Sequence, residues 1–138
     1  MKLSDFDFRI WDGKKYINNI KGGVYIHKIN DHIKCLNRNQ GCYDYEFELD
    51  ELDNSNLEIE LFTGLYDKKG KKVYENDIVK VKSLYNYFLA KISIHKEGTF
   101  YFEGKNGDYI GSLIYLVEDE GYTIEAIGNI HENAELLK

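Results

Sequence analysis

Proline is absent from the 138 residues, and arginine (Arg9, Arg38), cysteine (Cys35, Cys42) and alanine (Ala90, Ala126, Ala134) are scarce. Each shortage excludes something. Without proline there is no polyproline linker and no proline-rich recognition tract. Two guanidinium groups leave few of the planar forks that read guanine or clamp phosphate. The amino terminus carries acids where an export signal needs an apolar stretch. Two cysteines in such a chain read as reduced thiols, and the expected compartment is the cytoplasm. No apolar run approaches the roughly 20 residues that cross a bilayer, so no membrane contact is expected. A formal charge of -6 and a pI near 5.2 oppose general polyanion binding, since phosphate affinity comes from basic residues.

What is abundant is material for a sheet. Apolar residues make up 43% of the chain, with 12 tyrosines and 7 phenylalanines, enough to build the core of one domain at this length. Alternation with period two recurs, and places successive side chains on opposite faces of a strand. Over residues 43–50, Tyr43, Tyr45, Phe47 and Leu49 oppose Asp44, Glu46, Glu48 and Asp50. Leu57, Ile59 and Leu61 oppose Glu58 and Glu60 in the same way. VYIHKI and HIKCLN flank Asn30 and Asp31, two residues that tolerate left-handed angles, and this predicts a hairpin. NDIVKV, YFLAKISIH, TFYFE and YTIEAIGNI read as further strands, whereas SLIYLVED leans to helix or loop. ENAELLK fits a short C-terminal helix with Asn133 as its cap. The expected fold is mainly β with a minor helical part, a small twisted barrel or sheet. It forms one domain over 1–138, divisible into N-terminal hairpins at 1–62 and a small barrel at 63–138.

Charge is segregated along the chain. Lys14, Lys15, Lys21, Lys28, Lys34 and Arg38 stand against Asp31 alone, and the following stretch to Leu61 carries only acids. Like charges on adjacent strands cost stability unless something offsets them. The row Asp44, Glu46, Glu48, Asp50, Glu58 and Glu60 is therefore the expected contact face for a partner.

Other chemistry is weaker. His27, His32, Cys35 and Cys42 are zinc-ligand types, but the cysteines are seven positions apart and the histidines differ in strand parity, so no metal site is expected. Asp50, Glu51 and Asp53, like Glu118, Asp119 and Glu120, read as solvated acidic corners. No phosphate-binding loop, dinucleotide fingerprint or hydrolase motif is present, and neither a catalytic residue nor a cofactor is expected. Tyr85, Tyr87, Phe88, Phe100, Tyr101 and Phe102 lie near Lys80, Lys82, Lys91, Lys96 and Lys105, the ingredients with which small β-barrels stack single-stranded bases. By strand parity Tyr101 opposes Phe100 and Phe102, so one of these aromatics faces outward or into an interface.

Three segments in register carry a resemblance. FRIWDGKKY at 8–16, FTGLYDKKGKKVYENDIVKV at 62–81 and IEAIGNIHENAELL at 124–137 together resemble the YopX family of phage and prophage proteins. Asn76 stands where the family pattern has glycine, and Ala134 where it has proline. The resemblance implies a mainly β fold with a small twisted barrel around the DIV strand, and often oligomeric assembly. It implies no established activity, and carries over only structural positions: Trp11, Gly64, Gly70, Tyr74, Asp77 and Gly128. The expected function is a non-enzymatic phage or prophage accessory protein that self-associates or docks a host or phage protein. The alternative is an accessory nucleic-acid-binding β-barrel.

Overall fold

Alternating side chains become extended backbone along most of the chain. The computed structural model describes residues 1–17, 24–40, 47–52 and 56–138, and places in them the strands β1 (Phe8–Trp11), β2 (Val24–Ile29), β3 (His32–Gln40), β4 (Phe47–Glu51), β5 (Glu58–Tyr66), β6 (Lys72–Tyr74), β7 (Asp77–Lys82), β8 (Tyr87–Ile94), β9 (Phe100–Glu103), β10 (Tyr109–Ser112) and β11 (Thr123–Asn129). The mainly β class is as the alternation implies. The chain divides into two units, Met1–Phe8 with Leu61–Lys138, and Arg9–Glu60. A three-stranded sheet has the order β1-β5-β6.

The larger unit is built on an antiparallel sheet in the order β10-β9-β8-β7-β11. Val79, Val81, Ala90, Ile92, Phe102 and Ile124 point to one face and form the core with Val73 and Leu113. Tyr115–Asp119 forms a π-helical turn, a helical answer to the ambiguous SLIYLVED run, and Leu116 and Val117 pack against that core. The expected barrel does not close, since β10 and β11 stand at opposite edges of the sheet.

The loop before β6 reaches one of these edges. Asp67 is buried, and its Oδ1 accepts the Lys69 and Lys71 amides, each at 2.9 Å, as in an Asx turn. Its Oδ2 accepts the Ala126 amide of β11 at 3.0 Å, while the Lys68 amide donates to the Ile124 carbonyl at 2.9 Å. At Ile124 and Ala126 the outer edge of β11 is thus taken by the loop. Gly70 closes the turn at φ +80°, the left-handed region that a side chain would strain.

The smaller unit holds an antiparallel sheet in the order β2-β3-β4. β2 and β3 form the expected hairpin, with Ile29 opposite His32 and Asn30 at φ +51°. Before it, WDGKKY makes a tight turn. Asp12 Oδ1 accepts the Lys14 and Lys15 amides, and Trp11 and Tyr16 face each other edge-on with ring centres 5.0 Å apart.

Candidate functional site

Two arrangements within Arg9–Glu60 combine reactive or adhesive chemistry with geometry. The first is polar. Glu60 is fully buried, and its Oε1 accepts hydrogen bonds from Arg9 Nε at 2.7 Å and from the Tyr16 hydroxyl at 2.9 Å. The Arg9 guanidinium also lies 4.6 Å above the centre of the Tyr16 ring. A buried carboxylate is tolerated when it is paired and hydrogen-bonded, so this cluster reads as structure.

The second is apolar. Ile10 and Cys35, both buried, form the floor of a groove of about 290 Å³ completed by Ile26, Ile33, Leu57, Ile59 and Lys34. Ile26, Ile33 and Ile59 are 38%, 60% and 48% exposed. Register explains the lining: Ile26 pairs with Cys35, and Lys28 with Ile33, so these positions share one face of the hairpin.

This geometry removes Glu60 from the expected acidic contact face. Asp44 and Glu46 lie outside the described residues. Glu48 and Asp50 belong to β4, in register with Asn39 and Asn37. Glu58 is exposed, but Glu60 is not on a wet face. The expected alternation in β5 does not hold at its start: Glu58 and Ile59 are both exposed, with Ile59 opening to the groove, while Glu60 turns in to Arg9. Pairing with a cation offsets burial of the acid and leaves the isoleucine outside.

The zinc-type residues also divide differently from expectation. His27 pairs with Lys34 and Ile29 with His32, so the two histidines share a face despite their sequence parity. Cys35 points to the other face, into the groove, where burial pushes its thiol upward. Cys42 lies outside the described residues. Of the acidic corners, Glu120 accepts the Tyr115 hydroxyl at 2.8 Å, and Asp53 lies outside the described residues.

The family-pattern positions are consumed by the fold. Trp11 packs in the hairpin turn described above. Gly64 sits at φ +87° within β5. The Tyr74 hydroxyl donates to Asp7 Oδ2 at 2.7 Å, where Lys72 Nζ also binds at 2.8 Å. Burial acts to raise the Asp7 carboxyl, but these partners and the Phe8 amide bring it below its ordinary value. Asp77 Oδ2 accepts the Tyr74 amide at 2.8 Å across Asn76, which adopts φ +69° in place of the family's glycine. Gly128 has no room for a side chain, because a Cβ there would meet Asn133 Oδ1 at 2.5 Å and Asn133 Cβ at 2.8 Å. Asn133 does not cap the final turn, a 3-10 turn over Ala134–Leu137. Its Oδ1 accepts the Asn129 amide at 3.2 Å instead. Sequence reasoning missed the Arg9–Tyr16–Glu60 cluster and the reach of Asp67 to β11. The signal for the first was an arginine inside FRIWD in a chain with only two.

On the larger unit the aromatics divide by face. Phe102 is buried, and Phe88 and Phe100 pack against the same core. Tyr101 is outside, stacked on His95 with centroids 4.1 Å apart and beside Tyr109. Lys91 pairs with Glu103 at 2.8 Å, and the Lys91 ammonium holds the Glu103 carboxyl below its usual range against the opposing effect of burial.

Among the described residues no helix is long and apolar enough to cross a membrane. Comparison with known proteins gives the lineage. The chain is similar over its full fold to protein yopX from Bacillus subtilis, with 21% identity, a TM-score of 0.62 and coverage of 95% of this chain and 97% of that one. It is also similar to protein EF1440 from Enterococcus faecalis, with 27% identity, a TM-score of 0.59 and coverage of 96% and 98%. No curated protein matches. The family model described as YopX protein matches residues 7–138, which takes in all three motif segments and nearly the whole of both units, and the chain therefore belongs to the YopX family.

Proposed function

We propose that the chain is a non-enzymatic binding module, an accessory protein of a phage or prophage in the bacterial cytoplasm, and that it captures a protein through the groove of the Arg9–Glu60 unit. The observation behind this reading is the exposure of Ile26, Ile33 and Ile59 around a floor of Ile10 and Cys35. Contiguous apolar surface of this kind marks contact sites. The partner is a second copy or a host or phage protein.

Magnitude limits what the groove does alone. Covering the exposed part of three isoleucines is worth about 2–4 kcal/mol, whereas a micromolar complex needs about 8 kcal/mol. The acidic residues Glu48, Asp50 and Glu58 remain candidates for the balance; buried Glu60 does not. The non-enzymatic part of the reading is supported by the motif polar groups, since Asp7, Asp67 and Asp77 each accept hydrogen bonds that shape a turn or tie strands together.

The test is affinity capture from phage-infected cells beside light scattering of the pure protein, comparing wild type with Ile33→Asp/Ile59→Asp. The expected result is loss of the captured partner or of the oligomer with an unchanged melting temperature. Equal recovery by the double variant rejects the groove.

A further inference from the structure

The hairpin of β7 and β8 is chemically unlike the rest of this acidic chain. From 78 to 96 there are four lysines (Lys80, Lys82, Lys91, Lys96) and not one carboxylate. Its turn is pinned. The Ser83 amide donates to the Asn86 carbonyl at 2.8 Å, the Ser83 hydroxyl donates to the same carbonyl at 3.1 Å, and the Asn86 amide returns to Ser83 Oγ at 3.3 Å. The pinned turn presents Tyr85, which is 89% exposed, next to Tyr87, which is 63% exposed. Register places Lys82 opposite Tyr87, and the Lys80 ammonium lies 4.4 Å from the centre of the Tyr87 ring.

We infer that this hairpin face binds single-stranded nucleic acid, with bases stacked on Tyr85 and Tyr87 and phosphates met by Lys80 and Lys82. Stacking needs an aromatic face that keeps surface in water, and every base has a π-face to offer, so such contacts tolerate any sequence. Phosphate contact needs cations not already committed to carboxylates. Lys80 and Lys82 are in no ion pair among the described residues. Glu125, the acid in register with Lys80, is held by Lys68 and Lys69 at 3.0 Å each. The net charge of -6 opposes attraction at long range. At about 0.1 M salt that repulsion is screened beyond roughly 10 Å, whereas lysines in contact still act. The face lies on β7 and β8 of the larger unit and is independent of the groove proposed above.

The test is fluorescence anisotropy of a labelled oligothymidylate with the intact chain, titrated between about 50 and 200 mM salt. Two phosphate contacts predict a slope of log K against log salt of about -1.4, each contributing about -0.7. Tyr85→Ala and Tyr87→Ala should each weaken binding by about 10-fold or more, while Tyr87→Phe, which keeps the ring, stays within about twofold of wild type. Lys80→Gln/Lys82→Gln should flatten the slope. All these side chains lie at or near the surface, and melting curves that overlay wild type establish that the variants fold. No anisotropy change at the lowest salt overturns the inference. So does undiminished binding by Tyr85→Ala/Tyr87→Ala, or sedimentation with phosphatidylserine vesicles in place of oligonucleotide binding, which would make Leu84 and the tyrosines a lipid contact.

Discussion

The two units use the same alternating pattern to opposite ends. In the larger one, the apolar rows of β7, β8 and β9 meet Val73, Leu113 and the π-helical turn, and Val79, Val81, Ala90, Ile92 and Phe102 lose all contact with solvent. In the smaller one, every residue of β2 after Val24 is exposed, with Tyr25 and Ile29 on one face and Ile26 on the other, and Ile33, on the Ile26 face, is exposed too. Alternation specifies that one face of a strand is apolar. It does not specify whether this chain covers that face, and an uncovered face is what a binding surface needs.

Substitutions should separate the two cases. The largest effect belongs to Phe102→Ala, which leaves a cavity in a fully enclosed core and should cost about 3–5 kcal/mol in urea unfolding. The equivalent truncation on the other unit, Ile33→Ala, should stay within about 0.5 kcal/mol, as surface changes do. If Ile33→Ala also costs several kcal/mol, the contrast between core and open face fails.

Next is Glu60→Ala. It removes the buried acceptor shared by Arg9 and Tyr16 and should cost about 3 kcal/mol, in the range for breaking a buried pair. A value near zero would mean that Arg9 relaxes to solvent, and that the smaller unit has no polar interior of the kind described.

The smallest effect is one of pH. Burial tends to raise the Asp67 carboxyl, but the amides of Ala126, Lys71 and Lys69 hold it below its ordinary 3.8. A depressed native pKa stabilises the fold above the unfolded value, and this contribution drains away as pH falls from there toward the native value. Acid unfolding of wild type should therefore steepen below about pH 4. Asp67→Asn should be less stable at neutral pH by about 1–2 kcal/mol and should show a shallower acid limb. Parallel acid limbs for the two proteins would remove Asp67 from the account.

Much of the fold could be read from residues alone because its devices are local. The Asp67 to Gly70 turn, the left-handed Asn76, the hairpin at Asn30 and the opposition of Tyr101 to Phe100 and Phe102 each follow from one residue's own chemistry or from parity within one strand. The candidate site was less legible because it depends on pairing between strands. Sequence parity separated His27 from His32, but in an antiparallel hairpin the register decides the face, and it brings them together. Glu60 read as a wet acid until Arg9, 51 positions away, supplied its partner. The tie from Asp67 to the Ala126 amide is likewise illegible in the sequence, since the two lie 59 positions apart. Asn133 was the expected cap of the last turn, yet its oxygen is spent on the Asn129 amide, where the bare Cα of Gly128 lets it approach.

The hold of Asp67 on β11 has a consequence for how copies of this chain could meet. Extended chains polymerise by offering unpaired amides to one another, and the β11 side offers neither the Ala126 amide nor the Ile124 carbonyl. A strand adding to that margin of the large sheet would first have to displace Asp67 from the Ala126 amide and the Lys68 amide from the Ile124 carbonyl, so the sheet carries its own guard against edge-to-edge growth there.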